Sequence, residues 1–159
     1  MSHEEYMRLA LEEARLAAAE GEVPIGAIIE KDGVVIARAH NRVESEKQGI
    51  AHAEILAMQK ASEIVGDWRL DGCTLYVTKE PCAMCAGAMV NCRISRLVFG
   101  CADTRLGAAG STLAITNTPN ALHSVNVISG VLEEECKTIL QEFFRQRRIK
   151  GEYQCINTI

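Results

Sequence analysis

Two short motifs constrain this chain more than its composition does. His52-Ala53-Glu54 stands at the start of a predicted helix over residues 52–65, and Pro81-Cys82-Ala83-Met84-Cys85 stands at the start of another over 82–92. A predicted strand over 73–77 lies between them. A fold that uses both motifs must bring two helix N-termini to one end of a sheet. Cys82 and Cys85 are three residues apart, so their thiols share one face of a first helical turn. The partial positive charge of a helix N-terminus favours thiolates there.

That residue set has a chemistry. Two thiolates and a neutral imidazole from His52 are ligands for a divalent ion such as zinc. Three protein ligands leave the fourth tetrahedral position to water or hydroxide, which marks a catalytic rather than a structural zinc site. Glu54 cannot share a helix face with His52, two residues away, so an ion held by His52 has to lie over the helix end. Glu54 is then left to carry protons. A C-x-x-C pair by itself also fits a redox couple. A structural zinc site would need a fourth ligand from His40, Cys92 or Cys101, none regularly spaced from the others. The upstream His-x-Glu favours the catalytic ion.

The surrounding pattern is that of an α/β domain. Residues 3–20 read as an amphipathic helix with Met7, Ala10, Leu11, Ala14, Ala17 and Ala18 on one face, a capping box of Ser2 and Glu5, and Gly21 as its stop. An apolar stretch over 23–29 turns at Asp32-Gly33 and returns over 34–37, a hairpin by its turn chemistry. Residues 42–50 read as a loop. Proline suits a first helical turn, so Pro81 opens the helix over 82–92. Strands are expected over 94–99 and 125–128, irregular chain over 101–124, and a last helix from 131 to 148. Together these predict a mixed sheet with helices on both faces. No linker or repeat divides the chain, so residues 1–150 read as one domain and 151–159 as a tail.

Composition narrows the class. With 159 residues, 48% of them hydrophobic, the chain can bury one core. No apolar run approaches the roughly 20 residues that span a bilayer, and the start of the chain lacks a signal-peptide pattern, so a cytoplasmic protein without a membrane partner is expected. Seven cysteines, an odd number, argue against a disulfide framework in that setting. Cys73, Cys92, Cys101 and Cys136 read as small buried apolar residues, as do Met7, Met58 and Met89 as core; His3 reads as solvated, His123 as surface or substrate contact. The net charge of −4 and 4% aromatics argue against a broad nucleic-acid platform. Arg145, Arg147, Arg148 and Lys150 nevertheless concentrate positive charge at one helix end, where it would suit phosphates or simply the helix dipole.

H-x-E followed by P-C-x-x-C is the signature of zinc deaminases that act on bases. From about residue 6 to 148 the chain resembles the cytidine-deaminase-like superfamily, and more narrowly the bacterial tRNA-specific adenosine deaminases. The resemblance rests on Glu22-Val23-Pro24-Ile25-Gly26-Ala27, Asn41, Ala51-His52-Ala53-Glu54, Glu80-Pro81-Cys82-Ala83-Met84-Cys85-Ala86-Gly87-Ala88-Met89, Asp103, Gly107-Ala108-Ala109-Gly110-Ser111 and Phe143-Phe144-Arg145-Gln146-Arg147-Arg148. It implies a three-layer α/β fold with a central mixed five-stranded sheet and helices on both faces. It implies one zinc ion per subunit with a bound water or hydroxide, held by His52, Cys82 and Cys85, with Glu54 as the catalytic acid–base. It further implies substrate contacts at Asn41, Val23, Pro24, Ala51, Asp103, Phe144, Arg147 and Arg148, a homodimer, and a tRNA anticodon stem-loop as partner. The expected reaction is hydrolytic deamination of adenosine to inosine at the wobble position. A deaminase of a small free base or nucleoside, of guanine or cytosine type, is the alternative. A non-catalytic zinc module that binds RNA or a protein partner is a further one, which Glu54 argues against.

Overall fold

The computed structural model describes residues 1–151. Residues 152–159, and with them Cys155 and the expected tail, lie outside the described residues.

Helix α1 (His3–Ala19) begins with the predicted capping box. The Glu5 amide donates to Ser2 Oγ at 3.2 Å and the Ser2 amide to Glu5 Oε2 at 2.6 Å, satisfying two amides that the first turn cannot. Strands β1 (Gly26–Lys31) and β2 (Val34–His40) form the antiparallel hairpin. Its turn residues Asp32 and Gly33 have φ of 51° and 80°, as a type I′ turn requires. A short helix α2 (Val43–Glu46) follows, then α3 (Ala53–Val65), β3 (Cys73–Lys79), α4 (Ala83–Asn91), β4 (Arg96–Cys101), β5 (Asn126–Ile128) and α5 (Glu133–Ile149).

The sheet order is β2-β1-β3-β4-β5. β1 is antiparallel to both its neighbours, while β3, β4 and β5 run parallel, so the sheet is mixed. Side chains alternate between its faces. Ala27, Ile29, Leu75, Val77, Leu97 and Phe99 pack with α3 and α4. Ile28, Tyr76 and Val98 pack with α1 and α5. This is the expected three-layer α/β fold.

The differences are local and have causes. The first strand starts at Gly26 rather than at Val23, because Pro24 has no amide to pair and the Ile25 amide instead donates to Val23 O at 2.8 Å in a tight turn. Pro81 lies before the helix, not in its first turn, since Cys82 is the N-cap. His3 is not solvated: its Nδ1 lies 2.9 Å from the Tyr76 hydroxyl. Cys92 is half-buried, while Cys73, Cys101 and Cys136 are buried. Residues 43–46 are helical where a loop is expected, for a reason that belongs to the site.

Gly26 shows how closely α1 sits on the sheet. A Cβ there would stand 2.0 Å from Ala10 O and 2.5 Å from Ala14 N, both helix backbone. Gly26→Ala is expected to cost about 3 kcal/mol and to lower Tm by ~10 °C in thermal unfolding. An unchanged Tm would mean that α1 and β1 are not in this contact.

Candidate active site

His52 is the N-cap of α3 and Cys82 the N-cap of α4, and neither makes a side-chain capping hydrogen bond. Each helix thus begins on a ligand-type side chain that is free to turn away from its own backbone. The fold brings the two starts together. His52 Nδ1 lies 3.7 Å from Cys82 Sγ and 3.5 Å from Cys85 Sγ. All three ligand atoms fall within 4.8 Å of one another. Bonds of about 2.3 Å to sulfur and 2.0–2.1 Å to nitrogen would put such ligands about 3.6 Å apart around a tetrahedral ion. The donor set and its spacing therefore fit zinc. Among the described residues, this is the one cluster of three such groups with that proximity.

The electrostatics agree. A hydrogen bond from Cys85 holds the Cys82 thiol down at about 4, against a burial penalty. Cys85, which donates that bond and is buried, is pushed far up. Binding of an ion to the two thiolates would release the protons they hold. The hydrogen bond to Cys82 also raises His52. Glu54 is 4% exposed, and burial pushes its carboxyl up, opposed by its own backbone amide and by His52. A carboxyl raised in this way can hold as well as release a proton.

These groups face a cleft of about 280 Å³. Of the residues expected at the site, Val23, Asn41, His52, Glu54, Cys82 and Asp103 line it. Cys85 is fully buried in the core beneath. Asn41 Nδ2 donates to Val23 O at 3.4 Å, and its Oδ1 accepts from the Val43 amide at 3.3 Å, tying two stretches of the wall. Pro24 and Ala51 are not among the lining residues; Ala51 is buried and its carbonyl accepts from the Arg42 amide. The structure does not place the C-terminal residues in the cleft. Phe144 packs in the layer of α1 and α5, and Arg148 is exposed on α5. Arg147 donates to Gly21 O at 2.6 Å, with its guanidinium over the Phe143 ring. Gly21 does line the cleft, so Arg147 reaches its backbone edge. His123 is committed elsewhere, with Nε2 2.6 Å from Ile94 O.

The sequence reading missed two buried carboxylates that line the same cleft. Glu22 is 1% exposed and Glu80 3%. Glu22 accepts from the Glu44 and Ser45 amides and from Ser45 Oγ. That cap, supplied from before β1, is why residues 43–46 are helical. Glu80 holds the stretch from Asp103 to Ser111. The only sign in the sequence is that each stands directly before a motif, Val23-Pro24 or Pro81-Cys82.

The family model for MafB19-like deaminases matches residues 1–148. A tRNA-specific adenosine deaminase of Bacillus subtilis is 49% identical over 145 residues, covering 91% of this chain and 90% of that protein. The chain belongs to the tRNA-specific adenosine deaminase family. A solved structure from a study of A-to-I editing by tRNA deaminases at the wobble position superposes on this deaminase with a TM-score of 0.83. It is 46% identical and covers 86% of this chain and 99% of its own. A guanine deaminase from Nitrosomonas europaea shares the fold at lower identity, 27%, with a TM-score of 0.73 over 88% of this chain and 83% of its own. Among the described residues of the deaminase, no helix is long and apolar enough to cross a membrane.

Proposed function

We propose that the chain is a zinc-dependent hydrolase that deaminates adenosine to inosine at the wobble position of a tRNA anticodon loop. The observation that carries this reading is the convergence of His52, Cys82 and Cys85 beside the buried Glu54 in one cleft. His52, Cys82 and Cys85 would hold one zinc ion, which when bound lowers the pKa of its water to about 7. Glu54, beside that cluster, would take one proton from the attacking water and give it to the ring nitrogen, and would then carry the second, from the new hydroxyl, to the departing ammonia. Asn41 holds the base or its ribose, and the backbone from Val23 and Pro24, with Ala51 behind, shapes the pocket. Asp103 borders the pocket from the opposite loop. Phe144, Arg147 and Arg148 stand as RNA contacts outside the cleft.

An anticodon loop already presents unstacked bases, so extruding one costs little. Similarity to tRNA deaminases at 46–49% identity, against 27% for the guanine deaminase, supports the RNA substrate. We take residues 1–150 as the working domain and 151–159 as its tail, and a homodimer as the working state by family resemblance. A tRNA substrate supports a cytoplasmic location; among the described residues no helix is long and apolar enough to cross a membrane.

The free-base reading has the guanine deaminase in its favour. Ammonia release from an anticodon stem-loop, guanine and cytosine separates the two. Turnover is expected on the stem-loop alone, with kcat/KM falling at least about tenfold between 50 and 200 mM salt as phosphate contacts are screened. Turnover confined to free bases and indifferent to salt would overturn the tRNA reading.

A further inference from the structure

The cleft is walled on two sides by segments that carry little structure of their own. One is α2, with Val43 and Glu44; the other is the loop after β4, with Asp103 and Leu106. Each is held by one buried carboxylate. Glu80 accepts from the Asp103 amide at 3.1 Å and from Ser111 Oγ on one oxygen, and from the Ala109 and Ser111 amides at 3.1 Å each on the other. Four donors fill the roughly four lone-pair sites of a carboxylate. Glu22 accepts from the Glu44 amide at 3.2 Å, the Ser45 amide at 2.6 Å and Ser45 Oγ at 2.8 Å.

The approach to Glu80 is tight. A Cβ at Gly107 would stand 2.5 Å from Glu80 Cδ and 2.4 Å from Asp103 O. Loop backbone thus lies directly against the carboxylate. Lys79 adds an ion pair to Asp103 at 3.1 Å, both ends largely buried.

We infer that Glu22 and Glu80 are paired positioning residues, each fixing one wall of the cleft before substrate arrives and neither touching the reacting atoms. Both residues line the cleft, but their oxygens are spent on the walls rather than on proton transfer. The inference rests on the deaminase reading above, and it assigns work to two carboxylates that the mechanism does not use. Its consequence is kinetic. A wall that is free to wander leaves only a fraction of molecules competent to bind, and apparent affinity falls by that fraction while chemistry in the bound state is kept.

The test compares zinc-loaded wild type with Glu80→Gln and Glu22→Gln on an anticodon stem-loop, with amide hydrogen exchange as a second readout. Glutamine turns an NH2 toward amide donors and so loses one side of the clamp. Each variant is expected to raise KM about tenfold, with kcat within about threefold of wild type. Glu80→Gln should lose exchange protection at residues 103, 109 and 111 but keep it at 44 and 45, and Glu22→Gln the reverse. Ser111→Ala removes one hydroxyl donor to Glu80 and leaves the carboxylate in place. It should raise KM about threefold even if Glu80→Gln does not fold. A fall in kcat at unchanged KM, protection retained in the variant's own wall, or protection lost across the whole chain would overturn the inference. Wild type that makes no inosine on the stem-loop defeats the deaminase reading instead, and the exchange pattern still judges the clamps.

Discussion

Glu54→Gln is expected to bind one zinc per chain and to form inosine about a hundredfold to ten-thousandfold more slowly than wild type. The span is that of losing a positioned general acid–base. Glutamine keeps the size and the hydrogen-bonding reach of the side chain. It removes only the ability to gain and lose a proton. Glu54 is buried at the second residue of α3, beside the ligand cluster and not one of its three members. The loss therefore falls on the chemical step rather than on metal content. The fold is expected to tolerate the change, since burial already disfavours the charged carboxylate. Tm should be equal to or slightly above that of wild type. Single-turnover inosine formation alongside elemental analysis reads both effects. A variant that turns over at the wild-type rate would remove Glu54 from the mechanism.

The second large effect comes from the ligands. Cys85→Ala is expected to drop zinc from one per chain to near none and to reduce inosine formation to background. Two ligands bind zinc far more weakly than three, and Cys85 sits fully buried where no outside group can replace it. Chelation of the wild type should have the same outcome and be reversed by added zinc. Because the three ligand atoms converge only in the fold, zinc-loaded protein should also be more stable, by about 4 kcal/mol at a free zinc level of a thousand times Kd. Cys92→Ala should leave zinc content unchanged, since Cys92 is the C-cap of α4, at the far end of the helix that starts at Cys82. X-ray absorption at the zinc edge should show two sulfurs at about 2.3 Å and two lighter atoms at about 2.0–2.1 Å. Full activity in the metal-free protein would contradict this part of the account.

What could be read from the sequence was what is encoded locally. The Ser2–Glu5 capping box joins residues three apart, and the Asp32-Gly33 turn states its own φ requirement. The cluster of His52, Cys82 and Cys85 was legible because its spacing carries chemistry: two residues between the thiols, and a His-x-Glu that cannot share a helix face. The walls of the cleft were not legible. Residues 43–46 look like loop because their cap is the Glu22 carboxylate, some 22 residues earlier in the chain. Glu80 gives no periodic signal, and its partners lie 23 to 31 residues further on. Arg147 reads as part of a basic run, yet it donates to a carbonyl 126 residues away. His3 reads as solvated because nothing near it in sequence announces the Tyr76 hydroxyl. Local propensity and motif chemistry survive translation into one dimension, whereas long-range hydrogen bonds to buried side chains do not.

The most direct measurement is nucleoside mass spectrometry of an anticodon stem-loop with adenosine at the wobble position, after incubation with the zinc-loaded protein. The account predicts inosine at that one position and nowhere else in the loop. Inosine absent there, while the same preparation deaminates guanine or cytosine, would contradict it.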